Sequence, residues 1–232
     1  MLIVITGASR GIGKAFAEIF AEPDAVILLA AKNEETLAVT CAELSKQYPE
    51  TKFHSKNIDA ARPEEMKAFG NWCLQFGVPD IVINNVGFFV PGSIATEKEG
   101  LIDDMLNTNF RSAYELSRTL LPAMKAKKAG HIFNICSIAS LHAYANGGSY
   151  SISKFAMLGF SKNLREELKP FNIKVTSVMP GAVYTDSWNG SGVDENRIMK
   201  PSDIAQMVHA AAKLSPQACV EEIVIRPQLG DL

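Results

Sequence analysis

The 232-residue sequence predicts one doubly wound α/β domain, a parallel sheet of about seven strands with helices on both faces. Short apolar runs alternate with longer helix-period segments along the whole chain. The runs are rich in Val and Ile without polar alternation, as in strands covered on both faces. The first run leads directly into a glycine-rich turn and then a helix. Composition agrees, because 47% apolar and 21% charged residues suit a globular chain with a substantial core. A net charge of -2 offers no basic excess for nucleic acid or an anionic membrane. No apolar run approaches the ~20 residues of a membrane helix. Met1 is followed at once by Leu2-Ile3-Val4-Ile5 with no basic leader, so a cytoplasmic location is the expectation.

In order, strands are expected at Leu2–Ile5, Ala25–Leu29, Lys52–Asn57, Asp80–Asn84, Gly130–Cys136, Ile173–Met179 and Glu222–Ile225. Helices are expected near 11–21, 33–48, 63–76, 99–127, 150–169 and 201–213. Asn33 before Glu34 and Glu35, Pro63 at a first helical position, and Pro201-Ser202-Asp203 are helix-start signals. No linker, repeat or low-complexity tract divides the chain, so residues 1–232 are read as one domain. Cys41, Cys73, Cys136 and Cys219 form no C-x-x-C pair, and His54, His131, His142 and His209 show no ligand spacing. The cysteines read as buried thiols rather than disulfides or zinc ligands, and no metal site is expected.

The first chemistry lies in Thr6-Gly7-Ala8-Ser9-Arg10-Gly11-Ile12-Gly13. Glycines at a strand-to-helix turn let the backbone bend and approach a ligand, and the helix N-terminus presents N–H groups to a pyrophosphate. The spacing is G-x-x-x-G-x-G rather than the general dinucleotide (Rossmann) G-x-G-x-x-G. Gly7, Ser9, Arg10, Gly11, Ile12 and Gly13 are the candidate contacts. A carboxylate at the end of the second strand would suit the ribose hydroxyl of NAD; here the strand ends Leu29-Ala30-Ala31-Lys32. Lys32 and Arg10, with no acid, favour the 2′-phosphate of NADP(H). Asp59 follows the third strand where an adenine would lie, or caps a turn. Asn85 and Gly87, in Asn84-Asn85-Val86-Gly87, close the fourth strand.

Asn109 stands inside a long helical pattern, where asparagine is a poor fit; it bends the helix or holds a water. The fifth strand delivers Ser137 at its C-terminal end, the side on which open α/β sheets bind ligands. Tyr150 and Lys154 are four residues apart and share one helix face. A lysine charge beside a phenol stabilises its phenolate and brings proton transfer toward neutral pH. Pro180, Gly181, Val183 and Thr185 form a close-approach loop after the sixth strand, and residues 186–200, with Trp188, read as a substrate lid.

Taken in this order and spacing, Thr6-Gly7-x-x-x-Gly11-x-Gly13, Asp59, Asn84-Asn85-Val86-Gly87, Asn109, Ser137, Tyr150-x-x-x-Lys154 and Pro180-Gly181-x-Val183-x-Thr185 resemble the short-chain dehydrogenase/reductase family over nearly the whole chain. Val86 departs from the family's commoner alanine. The tail Val220–Pro227 resembles bacterial sepiapterin-reductase-like members. The resemblance implies that Tyr150 is the general acid of carbonyl reduction and that Lys154 lowers its pKa and holds the nicotinamide ribose. It further implies that Ser137 orients the substrate oxygen and that Asn109 fixes a relay water. It also implies a homodimer or homotetramer packed through the two long helices. The expected activity is NADPH-dependent reduction of a small ketone or aldehyde. The alternatives are an NADP-dependent alcohol or hydroxy-amino-acid dehydrogenase running oxidatively, and a non-catalytic NADP-sensing regulator. Retention of Ser137, Tyr150 and Lys154 argues against the regulator, and the same pair argues against a methyltransferase on a similar sheet.

Overall fold

The computed structural model describes residues 1–188, 190 and 192–231. Its seven parallel strands are β1 (Leu2–Thr6), β2 (Val26–Ala31), β3 (Lys52–Asn57), β4 (Ile81–Asn84), β5 (Gly130–Ile135), β6 (Ile173–Pro180) and β7 (Glu222–Ile225). They lie in the order β3-β2-β1-β4-β5-β6-β7. The helices between them are α1 (Gly11–Ile19), α2 (Glu34–Gln47), α3 (Pro63–Leu74), α4 (Leu101–Leu106), α5 (Ser112–Lys127), α6 (Gly148–Leu168) and α7 (Pro201–Ala212). Chain order reverses between β1 and β4, so their C-terminal ends open a crevice where ligands of such sheets bind.

The apolar runs of the inner strands β1, β2, β4, β5 and β6 are continuous because each of these strands feeds two cores. Ile3 and Ile5 of β1 pack with Phe16, Phe20, Leu44 and Val208 on one face. Leu2 and Val4 pack with Met66, Phe69, Leu116 and Leu164 on the other. β3 departs from that expectation: as an edge strand it keeps Lys52, Ser55 and Asn57 in solvent. Among the described residues no helix is long and apolar enough to cross a membrane.

The helix expected over 99–127 is interrupted. Residues Asn107–Arg111 form a π-helical turn between α4 and α5, with Asn109 buried at its centre. Asparagine's preference for local backbone partners explains why the regular ladder yields there. The last long helix begins at Gly148, two residues before the expected start, because Glu97 satisfies its first turn.

A buried polar row crosses the sheet beneath the crevice. Asn84 on β4, Asn134 on β5 and Ser177 on β6 are lateral neighbours. Asn84 Nδ2 donates to Asn134 Oδ1 at 2.8 Å, Asn134 Nδ2 to Ser161 Oγ at 3.0 Å, and Ser177 Oγ to Ser161 Oγ at 2.8 Å. Buried donors and acceptors are expensive to leave unpaired. Asn134→Ala should therefore lower stability by about 1–3 kcal/mol, read as a lower urea midpoint with an unchanged slope.

Candidate active site

The glycine turn after β1 is constrained by contact rather than by local preference alone. Gly7 holds φ +66° and Gly11 φ +55°, where a side chain strains the backbone. At Gly13 a Cβ would fall 2.0 Å from the Gly7 carbonyl oxygen, so α1 rests directly on the turn. Across the crevice, Asn85 Nδ2 donates to the Thr6 and Gly7 carbonyls at 3.0 and 3.1 Å. Thr6 Oγ1 accepts the Asn85 and Val86 N–H groups at 3.0 and 3.2 Å. Asn85 thus holds the turn's shape with its side chain. The N-cap residue of α1, Arg10, makes no side-chain capping bond among the described residues, whereas Asn33 caps α2 through the Thr36 N–H. An uncapped helix start behind a glycine cradle fits a pyrophosphate. Ser9 anchors the turn to α2 by accepting from Thr40 Oγ1 at 2.7 Å, and Ile12 packs into the core beneath it.

At the end of β2 the expected cations are engaged by carboxylates. Lys32 Nζ lies 2.8 Å from Asp59 Oδ2, and the Arg62 guanidinium stands 3.9 Å from the same oxygen. Asp59 also accepts the Ala61 N–H at 3.1 Å. Burial works against its charged form, but these partners win and hold its carboxyl below the usual range. Arg10 reaches the other way, to Asp186 Oδ2 at 3.1 Å.

The catalytic candidates converge at the C-terminal end of β5. Tyr150 lies beside Ser137, whose side chain acts on its phenol, and shares an α6 face with Lys154. Ser137 is buried, and its hydroxyl also accepts the Ala139 N–H at 3.1 Å. Ser140 closes the reciprocal bond by accepting the Ser137 N–H, a capping role. Lys154 is buried and donates to the Ile135 carbonyl at 2.9 Å, with Nζ 5.8 Å from the Tyr150 ring centroid. Gly87 lets this layer close: a Cβ there would lie 3.2 Å from Asn109 Oδ1 and 3.5 Å from Lys154 Nζ.

The resemblance implied that Lys154 lowers the tyrosine's pKa; in the cofactor-free chain burial prevails. Burial raises Tyr150 above its ordinary value, with the Ser137 side chain pulling in the opposite direction. Burial likewise pushes Lys154 down. The ammonium is spent on a backbone carbonyl rather than on the phenol. Tyr150 therefore carries its proton at neutral pH.

Asn109 serves as a joint. Its Oδ1 accepts the Phe88 N–H at 2.9 Å, and its Nδ2 donates to the Phe88 carbonyl and to Ser153 Oγ, both at 3.0 Å. Ser153 Oγ donates in turn to the Tyr150 carbonyl at 2.7 Å. Sequence reasoning passed over Ser153, whose only signal is its place between Tyr150 and Lys154. It also passed over Glu97, which accepts the Ser149 N–H at 3.2 Å and the Ser149 hydroxyl. Gly92 N–H reaches the Asn146 carbonyl at 3.0 Å. The loop after β4 is thereby fastened to the start of α6, and Phe89 packs edge-on against Tyr150 with ring centroids 4.8 Å apart. Tyr144 stands beside the same phenol; burial, and then the neighbouring Tyr150, push it up to about 12.

The loop after β6 closes back on the turn. Pro180 ends the strand, and Gly181 N–H bonds the Ile225 carbonyl at 2.8 Å. Val183 is buried and bridges to Met199, while Thr185 lies against Gly11, whose Cβ would meet its methyl at 3.2 Å. Arg197 donates to the Gly230 and Leu229 carbonyls at 2.9 and 3.2 Å, tying segment 186–198 to the chain beyond β7. A cavity of about 550 Å³ opens beneath that segment, sharing Gly11 and Thr185 with the crevice but lying apart from Tyr150. Asn189 and Ser191 of the expected lid lie outside the described residues.

A glycine cradle at the sheet's switch point and a Ser-Tyr-Lys group at its crevice together define a class, the dinucleotide-dependent oxidoreductases built on one sheet. Residues 1–196 match the short chain dehydrogenase family, and the chain belongs to it. It is 31% identical to a sepiapterin reductase of Chlorobaculum tepidum, across 100% of this chain and 98% of that one. L-Sorbose reductase of Gluconobacter frateurii, solved with NADPH and L-sorbose, superposes with a TM-score of 0.89 at 25% identity, over 97% of this chain and 94% of that one. A metagenomic short-chain oxidoreductase solved with NADP gives a TM-score of 0.84 at 31% identity, over 98% and 97% of the two chains.

The Glu97–Ser149 contact should behave as a helix cap. Glu97→Ala should lower stability by about 0.5–2 kcal/mol, and Glu97→Gln, which keeps an acceptor oxygen, should recover most of it. Thermal melts of the two variants check this.

Proposed function

We propose that this chain is an NADPH-dependent carbonyl reductase acting as one domain, with residues 186–200 as its substrate lid. The observation that carries the reading is a tyrosine beside Ser137, kept protonated by its surroundings, one helical turn from a buried lysine and near a glycine cradle. When bound, the nicotinamide cofactor supplies the hydride. The amides at the start of α1 hold its pyrophosphate, with Gly7, Gly11 and Gly13 letting it approach, while Arg10 and Lys32 take the 2′-phosphate and Asp59 the adenine edge. Gly87, Asn85, Pro180, Gly181, Val183 and Thr185 shape the wall of the nicotinamide end. NADP-bound relatives among the solved structures support this choice.

On the substrate side, Ser137 Oγ orients the carbonyl oxygen and Tyr150 Oη gives it a proton. Lys154 holds the nicotinamide ribose, and its charge stabilises the phenolate left behind. Asn109, braced by Phe88 and Ser153, keeps the proton path to solvent in register. The Tyr150 phenol holds its proton until the carbonyl arrives, as the acid of a reduction must. Kinship with sepiapterin reductase puts a pterin carbonyl among the first substrates to try. The aromatic group of Phe110, Tyr114 and Phe160 on α5, α6 and the π turn supports pairing of two copies through these helices. The expected location is cytoplasmic.

NADPH oxidation against ketones, diketones, quinones and pterins is the direct test, and no turnover across that panel would refute the reading. Tyr150→Phe should abolish turnover while NADPH still binds; a variant with substantial activity removes Tyr150 from the acid role. Reduction needs the protonated phenol, so its rate should fall only as pH rises through the Tyr150 pKa. Oxidation needs the phenolate and should rise over the same window, which pH profiles in both directions check. Replacing both Arg10 and Lys32 by Ala should erode the NADPH over NADH preference, measured as the ratio of kcat/KM values.

A further inference from the structure

Arg10 and Lys32 occupy one corner of the fold. The Ala8 N–H bonds the Ala30 carbonyl at 3.1 Å, and each cation lies two residues beyond one of these partners. Both are held by carboxylates, but on different terms. Asp59 sits just beyond β3, which is registered along β2, so the Lys32–Asp59 pair joins two neighbouring strand ends. Asp186 instead opens the segment that leaves the sheet after Thr185, and its side chain is 53% exposed beside an Arg10 that is 72% exposed.

We propose that Asp186 is a specificity-determining residue, whose carboxylate competes with the cofactor's 2′-phosphate for the Arg10 guanidinium and thereby links phosphate binding to the leading end of segment 186–198. This rests on the NADP(H) reading above. The pair spans two elements that the packing already brings together, because Thr185 seats against Gly11 beside Arg10. The far end of the segment is fixed independently. Met199 N–H bonds the Ala182 carbonyl at 3.1 Å, Tyr184 N–H bonds the Met199 carbonyl at 2.7 Å, and Arg197 grips the chain beyond β7. Losing Arg10 therefore removes one tie at the leading end of the segment while its base stays closed, and the cavity beneath adjoins that end. A phosphate brings more charge to the guanidinium than a carboxylate and accepts the same forked donors. Exposed ion pairs shift equilibria by no more than about fivefold, so the effect is small and selective for the phosphate.

The test is calorimetric titration of the cofactor-free full chain with adenosine 2′,5′-bisphosphate, AMP, NADP+ and NAD+. Asp186→Asn should tighten the bisphosphate and NADP+ about threefold and leave AMP and NAD+ unchanged. In an Arg10→Ala background the same substitution should have no effect on any of the four. The proposal is overturned by an equal gain for AMP, by a gain that survives in the Arg10→Ala background, or by no gain at all. The cofactor reading fails separately, if the wild-type chain binds the bisphosphate no better than AMP. A wild-type preference that depends on Arg10 but ignores Asp186 would remove only the competition.

Discussion

The knot between Thr6 and Asn85 is the constraint on which the site depends. Two strands distant in sequence meet at the sheet's switch point, and each threads its backbone through the other's side chain. The Thr6 hydroxyl collects two amides from the segment after β4, and the Asn85 amide spans two carbonyls of the glycine turn. Every one of these groups would otherwise face a crevice with no regular ladder to join. The nucleotide half and the proton-transfer half of the crevice are thereby fixed to each other before any ligand arrives. Such preorganisation matters because small misplacements of reacting groups slow reactions steeply.

Charge is distributed unequally between those halves. Around Tyr150, Ser137 and Lys154 are buried and the neighbours are neutral: a serine hydroxyl beside the phenol, a main-chain carbonyl for the ammonium. Low polarity there keeps the phenol protonated and leaves the lysine charge weakly compensated, so it acts strongly on whatever anion develops nearby. At the β2 end the reverse holds. Lys32 and Arg10 are exposed and already matched by acids, so solvent and counter-charge blunt them. The inner half is built for a large electrostatic effect on one proton, and the outer half for a modest preference between two ligands.

Much of this was legible in the chain. The strand runs, the glycine turn, Ser137 and the Tyr150/Lys154 spacing are local patterns, and periodicity reports local patterns faithfully. What escaped was pairing across sequence. Lys32 and Arg10 read as two free cations because Asp59 and Asp186 become their partners only through the fold. Glu97 carries no motif around it, yet it meets Ser149, 52 residues away. The upward shift of Tyr150 was missed for the same reason, since it reflects burial by neighbours that spacing on one helix does not reveal. Ser153 lay in plain view inside the motif, but its bond to Asn109 required the π turn to be known.

That π turn also constrains how the chain can change over time. A ladder that reaches one residue further than the α-helical one absorbs a surplus residue without breaking the rod on either side. α5 beyond it and α4 before it keep their own faces toward the core, while Asn109 in the widened turn faces the crevice. Deleting one residue there would restore a regular helix and remove the widened turn that carries Asn109. The buried stripe of α5, with Leu116, Leu120 and Met124, would keep its register in the core. Lineages that lose a residue in this stretch would therefore keep the packing of the helix and give up the amide at the crevice, which makes the local length of this segment as much an inherited trait as any side chain in it.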